Sequence, residues 1–152
     1  MDKQIINMQP EFHSLTIPVV LDAEAYLPEK AHSSDAGFDL RTREEKTVPA
    51  RGNAIFDTGV HMAIPNGFVG FLKSKSGLNV KYNLTGTGVI DAGYTGSICV
   101  KLYNHSDTPY TFNKGDKIIQ IVILPIFTGN CELVESLEDT ERGEGGFGST
   151  GK

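Results

Sequence analysis

Residues 53–72 read Asn-Ala-Ile-Phe-Asp-Thr-Gly-Val-His-Met-Ala-Ile-Pro-Asn-Gly-Phe-Val-Gly-Phe-Leu, and this stretch decides the fold class. Three runs rich in β-formers, Asn53 to Asp57, Val60 to Ile64 and Phe68 to Leu72, are parted by Asp57-Thr58-Gly59 and Pro65-Asn66-Gly67. Glycine-ended turn tripeptides between short β-branched and aromatic runs are hairpin signals. Downstream, Ile98, Val100 and Leu102 alternate with Cys99, Lys101 and Tyr103, the period of a half-buried strand. Ile118 to Leu124 is apolar on both faces except for Gln120, so it is expected to be covered twice: by its own sheet and, in a small β domain, by another subunit. Upstream, Ser14 to Val20 reads as a strand that Pro18 confines to an edge or bulge. Asp35 to Leu40 is a turn opening into a strand, and Gly77 to Tyr82 alone suits a short helix. The expectation is an all-β sandwich or jelly roll without internal repeat or second domain.

The bounds agree. A chain of 152 residues can bury one real core. A net charge of −5 argues against a broad nucleic-acid face but leaves room for a small phosphate ligand. No apolar run is long enough to span a membrane, and residues 1–4 lack a secretory pattern. Cys99 and Cys131 have no metal-ligand spacing and read as small buried thiols of a reducing, cytoplasmic compartment. His13, His32, His61 and His105 are scattered and read as ordinary surface or edge residues.

Chemistry concentrates in Thr85-Gly86-Thr87-Gly88-Val89-Ile90-Asp91-Ala92-Gly93-Tyr94-Thr95-Gly96. The segment reads as a tight β-hairpin whose glycines leave backbone bare for close approach. Asp91 ends its first arm, either as a group presented for catalysis or as an Asp that starts a turn. Lys73 to Leu78 joins cations, hydroxyls, a glycine and a helix start, an anion-favouring spot or a solvated loop. Gln120 is an amide in an apolar strand and needs partners, from backbone or from a ligand. Past Leu133 the composition turns acidic, then glycine-rich, which divides the chain into a β domain over 1–134 and a flexible C-terminal arm over 135–152. Gly146 to Lys152 has the lettering of a phosphate-binding loop but ends at its Lys, with no hydroxyl residue or helix after it, so a nucleotide hydrolase of that fold is rejected. Glycine amides, two hydroxyls, Arg142 and Phe147 still suit an arm that orders over a phosphate and a base.

Five segments together carry a resemblance. Asp35-Ala36-Gly37-Phe38-Asp39-Leu40, Lys75-Ser76-Gly77-Leu78, Gly88 to Gly96, Gly115-Asp116-Lys117-Ile118-Ile119-Gln120, and Arg142 to Gly151 resemble, in order and roughly in spacing, the five motifs of the homotrimeric dUTPase family. The third and fifth are the most specific, and the match covers most of the chain. The resemblance implies a distorted jelly-roll subunit assembled as a homotrimer. It implies hydrolysis of dUTP to dUMP and diphosphate, with Mg²⁺ held mainly by the phosphates and each site built from three chains. Carried over, Asp91 orients and deprotonates the attacking water, and Tyr94 lies against the deoxyribose. Gly88, Val89, Ile90 and Cys99 meet the uracil edge. Lys75, Ser76 and Gly77 face the phosphates, Gln120 helps hold water, and Asp39 supports the metal's water shell. Arg142, Gly148, Ser149 and Thr150 grip the γ-phosphate while Phe147 covers the base. No nucleic acid and no membrane partner is implied. Two departures stand out: Lys75 where the family usually has Arg, which keeps the charge but not the bidentate fork, and a slightly short segment between Ser76 and Asp91. The alternatives are a dCTP deaminase of the same fold, separable by ammonia release, and a regulatory binding protein on the same scaffold. Tyr94 and the complete arm favour the hydrolase.

Overall fold

Eleven strands and one short helix lie along residues 15–146, which the computed structural model describes. They are β1 (Val19–Leu21), β2 (Gly37–Arg41), β3 (Lys46–Val48), β4 (Asn53–Asp57), β5 (Val60–Met62), β6 (Phe68–Lys73), α1 (Ser76–Tyr82), β7 (Leu84–Thr85), β8 (Thr87–Asp91), β9 (Cys99–Asn104), β10 (Tyr110–Phe112) and β11 (Lys117–Pro125). A four-stranded sheet in the order β2-β11-β6-β8 faces a three-stranded sheet, β4-β9-β7, across the core, and the pairs β1-β5 and β10-β3 complete the shell. The all-β expectation holds, and the short helix expected over Gly77 to Tyr82 is there, beginning one residue earlier at Ser76. That helix buries none of its residues and stops where Asn83 turns left-handed (φ 56°) and returns its N–H to the Asn79 carbonyl at 2.9 Å.

The strands stand where the pattern put them, but the turns do something else. No pairing among the described residues joins consecutive strands. Asp57-Thr58-Gly59, with Gly59 at φ 67°, carries the chain from β4, which pairs with β9, to β5, which pairs with β1. Pro65-Asn66-Gly67 likewise changes sheets, as does Gly115 before β11. The Thr85–Gly96 segment is not a paired hairpin either. Its outgoing arm β8 bonds only to β6, and after the turn the chain crosses into β9 of the other sheet. A positive-φ glycine reverses the backbone but does not choose the neighbour; burial of both sheets' inner faces does.

Packing explains the choice. Phe56, Val100 and Leu102 from the smaller sheet, with Ile98 just before β9, meet Leu40, Ile119 and Ile121 from the larger one, each at most 2% exposed. Phe112 closes one end, edge-on to Phe56 at 5.5 Å. Consecutive Ile118 and Ile119 are both buried because the β11–β2 register shifts between Lys117 and Ile119, a bulge that turns two neighbours inward. The far half of β11 is less covered: Leu124 is 42% exposed. The first strand is shorter than Ser14 to Val20 and begins after Pro18, whose carbonyl accepts from the Ala63 amide at 2.9 Å; Ser14 lies outside the described residues. Both cysteines are exposed, not buried: Cys99 points to the open face of β9, and Cys131 follows the last strand. No helix among the described residues is long and apolar enough to cross a membrane.

Candidate active site

Strand β8 is an edge strand of its sheet, so one row of its backbone N–H and C=O groups faces away from β6. Ile90 anchors it in the core, while Val89 and Asp91 point to the open side. Asp91, Ala92, Gly93 and Tyr94 then form a turn closed by the Tyr94 amide on the Asp91 carbonyl at 3.2 Å, with Gly93 at φ 87° in the position that requires it. The Tyr94 hydroxyl donates to the Ser97 carbonyl at 3.0 Å, and its ring lies so close over Gly96 that a Cβ there would be 2.6 Å from the ring's Cζ. Val89, Ile90, Asp91, Tyr94 and Cys99 line a recess of about 250 Å³. Partial burial, and then the Asp57 carboxylate, push the Cys99 thiol up, so it is present as neutral S–H. Exposed backbone amides, a thiol, a ring and a carboxylate around one recess can read a flat polar edge and aim a water.

A network unforeseen in the sequence backs this loop. Arg43 holds Asp57 through Nη2 at 2.5 Å and donates from Nε to the Asp57 carbonyl at 3.2 Å. The Ser97 hydroxyl donates to the Asp57 carboxylate in a short bond, and Ser97 Oγ accepts from the Gly59 amide at 3.0 Å. That Ser97 bond is the main reason the Asp57 carboxyl lies below the usual range. His61 reaches the same loop from β5, at 2.7 Å from the Thr95 carbonyl.

A second cluster forms around β11. Its register sets Gln120 opposite Asp39 on one side and Lys73 on the other. Gln120 donates from Nε2 to the Ser74 carbonyl at 3.2 Å, so the amide has a backbone partner. Gly37 is glycine because a Cβ would sit 3.0 Å from the Gln120 carboxamide carbon. The Asp39 side chain, 8% exposed, bonds Lys75 through one oxygen and Lys117 through the other, at 2.6 Å. Burial alone would raise the Asp39 pKa; the Lys117 and Lys75 ammonium groups outweigh it and hold the carboxyl below its ordinary value. Lys117 was missed in the sequence, although Gly-Asp-Lys opening an apolar strand was a usable signal. Ser74 Oγ accepts from the Gly86 amide at 2.9 Å and donates to the Gly86 carbonyl at 3.1 Å, fixing the loop that presents Ser76 and Gly77 at the start of α1.

One chain does not bring the two clusters together. Asp91 lies opposite Val69 and Thr87 opposite Lys73, so Asp91 and the Lys75–Gly77 loop sit at opposite ends of β8 and β6. Four residues of strand separate them, about 13 Å. Arg142 donates to the Gly145 carbonyl at 2.9 Å inside its own turn. Phe147, Gly148, Ser149 and Thr150 lie outside the described residues. Among the described residues no three acidic, histidine or cysteine side chains group as metal ligands. With Lys75 on one Asp39 oxygen and Lys117 on the other, Asp39 is engaged by two cations and is not set up as a direct ligand of a third.

Residues 23–151 match the family model described as dUTPase. The deoxyuridine 5′-triphosphate nucleotidohydrolase of Kluyveromyces lactis is 42% identical over 132 residues, 86% of this chain and 89% of that protein. The Staphylococcus bacteriophage 80alpha dUTPase solved with dUPNHPP superposes with a TM-score of 0.85 at 35% identity, over 90% of this chain and 99% of that one. A mutant dUTPase from phage phi11 of S. aureus, solved with a structural Mg(II) ion, superposes with a TM-score of 0.76 at 32% identity, over 82% of this chain and all of that one. Edge strand, turn, tyrosine and carboxylate therefore fall within a known lineage, and this chain belongs to the dUTPase family.

Proposed function

We propose that this protein hydrolyses dUTP to dUMP and diphosphate, as a homotrimer whose active sites are shared between subunits. The observation that carries the reading is the recess of Val89, Ile90, Asp91, Tyr94 and Cys99 on an edge strand of the larger sheet. The outward backbone of Gly88 and Ile90, with the neutral Cys99 thiol, suits the alternating donors and acceptors of a uracil edge. The Tyr94 ring, seated on Gly96, leaves no room beside the sugar for a 2′-hydroxyl. Asp91 sets the angle of a water against the α-phosphate and takes its proton as the phosphorus–oxygen bond forms, and diphosphate leaves from the opposite side. The gain lies in placing that water, since an Asp is a weak base.

The distance between Asp91 and the Lys75–Gly77 loop supports the shared site. In this reading the triphosphate extending from the recess is met by Ser76 and Gly77 of a neighbouring copy, since those of the same chain lie at the far end of β8. In this reading Lys75 serves the phosphate loop through Asp39 as much as by direct contact. Mg²⁺ bound by the phosphates neutralises their charge, and Asp39 acts on its water shell at most indirectly. The arm from 135 onward brings Arg142, Phe147, Gly148, Ser149 and Thr150 over the bound nucleotide. Two exposed free thiols suit a reducing compartment, and we place the enzyme in the cytoplasm.

The test is diphosphate release from dUTP, UTP, dTTP and dCTP with Mg²⁺ present, alongside Asp91→Asn. The wild type is expected to turn over dUTP in strong preference to the other three, and the variant to bind dUTP with turnover lowered by about 10²–10⁴-fold. Equal turnover in the variant would remove Asp91 from the chemistry. A trimer in sedimentation supports the shared site; a fully active monomer rejects it.

A further inference from the structure

We propose that His61 is a positioning residue for Tyr94, bridging the Asp22 carboxylate and the Thr95 carbonyl as a doubly protonated imidazolium, so that sugar recognition loosens as the bridge loses its proton. This rests on the reading of Tyr94 as the residue that meets the deoxyribose.

The geometry favours the charge. His61 Nδ1 lies 2.7 Å from the Thr95 carbonyl oxygen, and Nε2 lies 3.2 Å from Asp22 Oδ1. A carbonyl and an ionised carboxylate can only accept, while a neutral imidazole has one N–H to give. Only the imidazolium satisfies both partners. The surroundings favour it: Asp22 faces the ring from the turn after β1, Asp57 lies nearby at the end of β4, and Arg43, from the loop after β2, sits 3.6 Å from Asp22. Two carboxylates thus oppose one guanidinium. The Thr95 carbonyl foremost, against partial desolvation, and then Asp22 and Asp57 raise the His61 pKa above its ordinary value. Asp22 is itself pinned, its amide donating to the Gly59 carbonyl at 2.8 Å.

The bridge acts on Tyr94 through one peptide. Thr95 stands between Tyr94 and Gly96, on which the Tyr94 ring is seated, and the far side of the loop is fixed by Ser97 on Asp57 and Gly59. Asp57 holds a depressed pKa and keeps its charge through the neutral range, which leaves His61 as the titrating anchor. When His61 deprotonates, one N–H remains for two acceptors, so the bridge that ties the Thr95 carbonyl to Asp22 is broken.

The experiment follows kcat and KM for dUTP and UTP from about pH 5 to 9, the span of histidine titration, in wild type, His61→Gln and Asp22→Asn. The imidazole is titrated in parallel by NMR and assigned by its absence in His61→Gln. In the wild type, the preference for dUTP over UTP should fall about fivefold as pH rises through the His61 pKa, the scale of one lost hydrogen bond. The change is expected mainly in KM. His61→Gln should remove the step, and Asp22→Asn should move both step and imidazole titration to lower pH. The same step persisting in folded His61→Gln overturns the proposal, as does a His61 pKa at or below that of free histidine. Should His61→Gln fail to fold by circular dichroism, Asp22→Asn with the wild-type titration decides alone. If wild type releases no diphosphate from dUTP at any pH, the catalytic reading has failed, while the NMR titration still judges the bridge.

Discussion

Replacing Gly96 by alanine isolates the seat of the Tyr94 ring. A Cβ at Gly96 would lie 2.6 Å from Tyr94 Cζ and closer still to the hydroxyl oxygen, where ordinary contact begins at 3.4 Å, so the ring must retreat by about 1 Å. Gly96 is not in the left-handed region, so alanine fits the backbone and only the contact is perturbed. Tyr94 is 46% exposed and its ring can swing into solvent, so the stability cost is little more than the lost hydroxyl bond to Ser97, about 1 kcal/mol. That corresponds to a fall in melting temperature of about 2–4 °C. Catalysis should suffer far more, because a shift near 1 Å in a positioning group can cost about 10²-fold. Diphosphate release from dUTP and UTP, read as the ratio of kcat/KM values, should show dUTP turnover falling and the preference over UTP narrowing by about 10- to 100-fold. A Gly96→Ala protein with unchanged melting and an unchanged dUTP to UTP ratio would refute both the ring's seat and its role at the sugar.

Asp39→Asn leaves Lys75 and Lys117 facing each other without their carboxylate; because those side chains are 28% and 36% exposed and reach water, the loss should be about 2 kcal/mol, below that of a fully buried pair, and calorimetry checks it as a fall of about 4–8 °C. The depressed Asp39 pKa means its contribution is present above the unfolded carboxyl pKa and fades as pH drops through the folded one, so the melting gap to wild type should close in acid; a gap that widens there contradicts the ion triad. Removing residues 142–152 should leave the oligomer unchanged in sedimentation and abolish nearly all dUTP turnover, whereas retained activity would make the arm dispensable.

Strand positions were legible because burial imposes a period. Ile98, Val100 and Leu102 alternate in sequence and are all buried in the structure, and Ser76–Tyr82 is the helix its composition suggested. Strand partners were not legible. Gly59, Gly67 and Gly93 each adopt the positive φ their turn residues promised, but a local reversal is compatible with either sheet, and packing across the core settles the matter. The same limit applies to the site. Asp91, Tyr94 and Cys99 share one recess as the motif order implied, while Lys75 and Gln120 belong to a cluster a strand length away. Gln120 announced a need for a partner, but nothing local named Ser74. His61 looked like an ordinary edge residue because both of its partners, Asp22 and Thr95, are more than 30 positions distant.

The placement of β11 also bears on how the polypeptide matures. Among the described residues it is the last strand in chain order, yet it lies between β2 and β6 and bonds to both. Until Lys117–Pro125 has left the ribosome, the larger sheet lacks its middle and the earlier strands carry open edges for the seconds that synthesis takes, at about 5–20 residues per second. Closure of the larger sheet therefore waits for β11, whose partners β2 and β6 lie far earlier in the chain, a non-local pairing of the kind that slows folding.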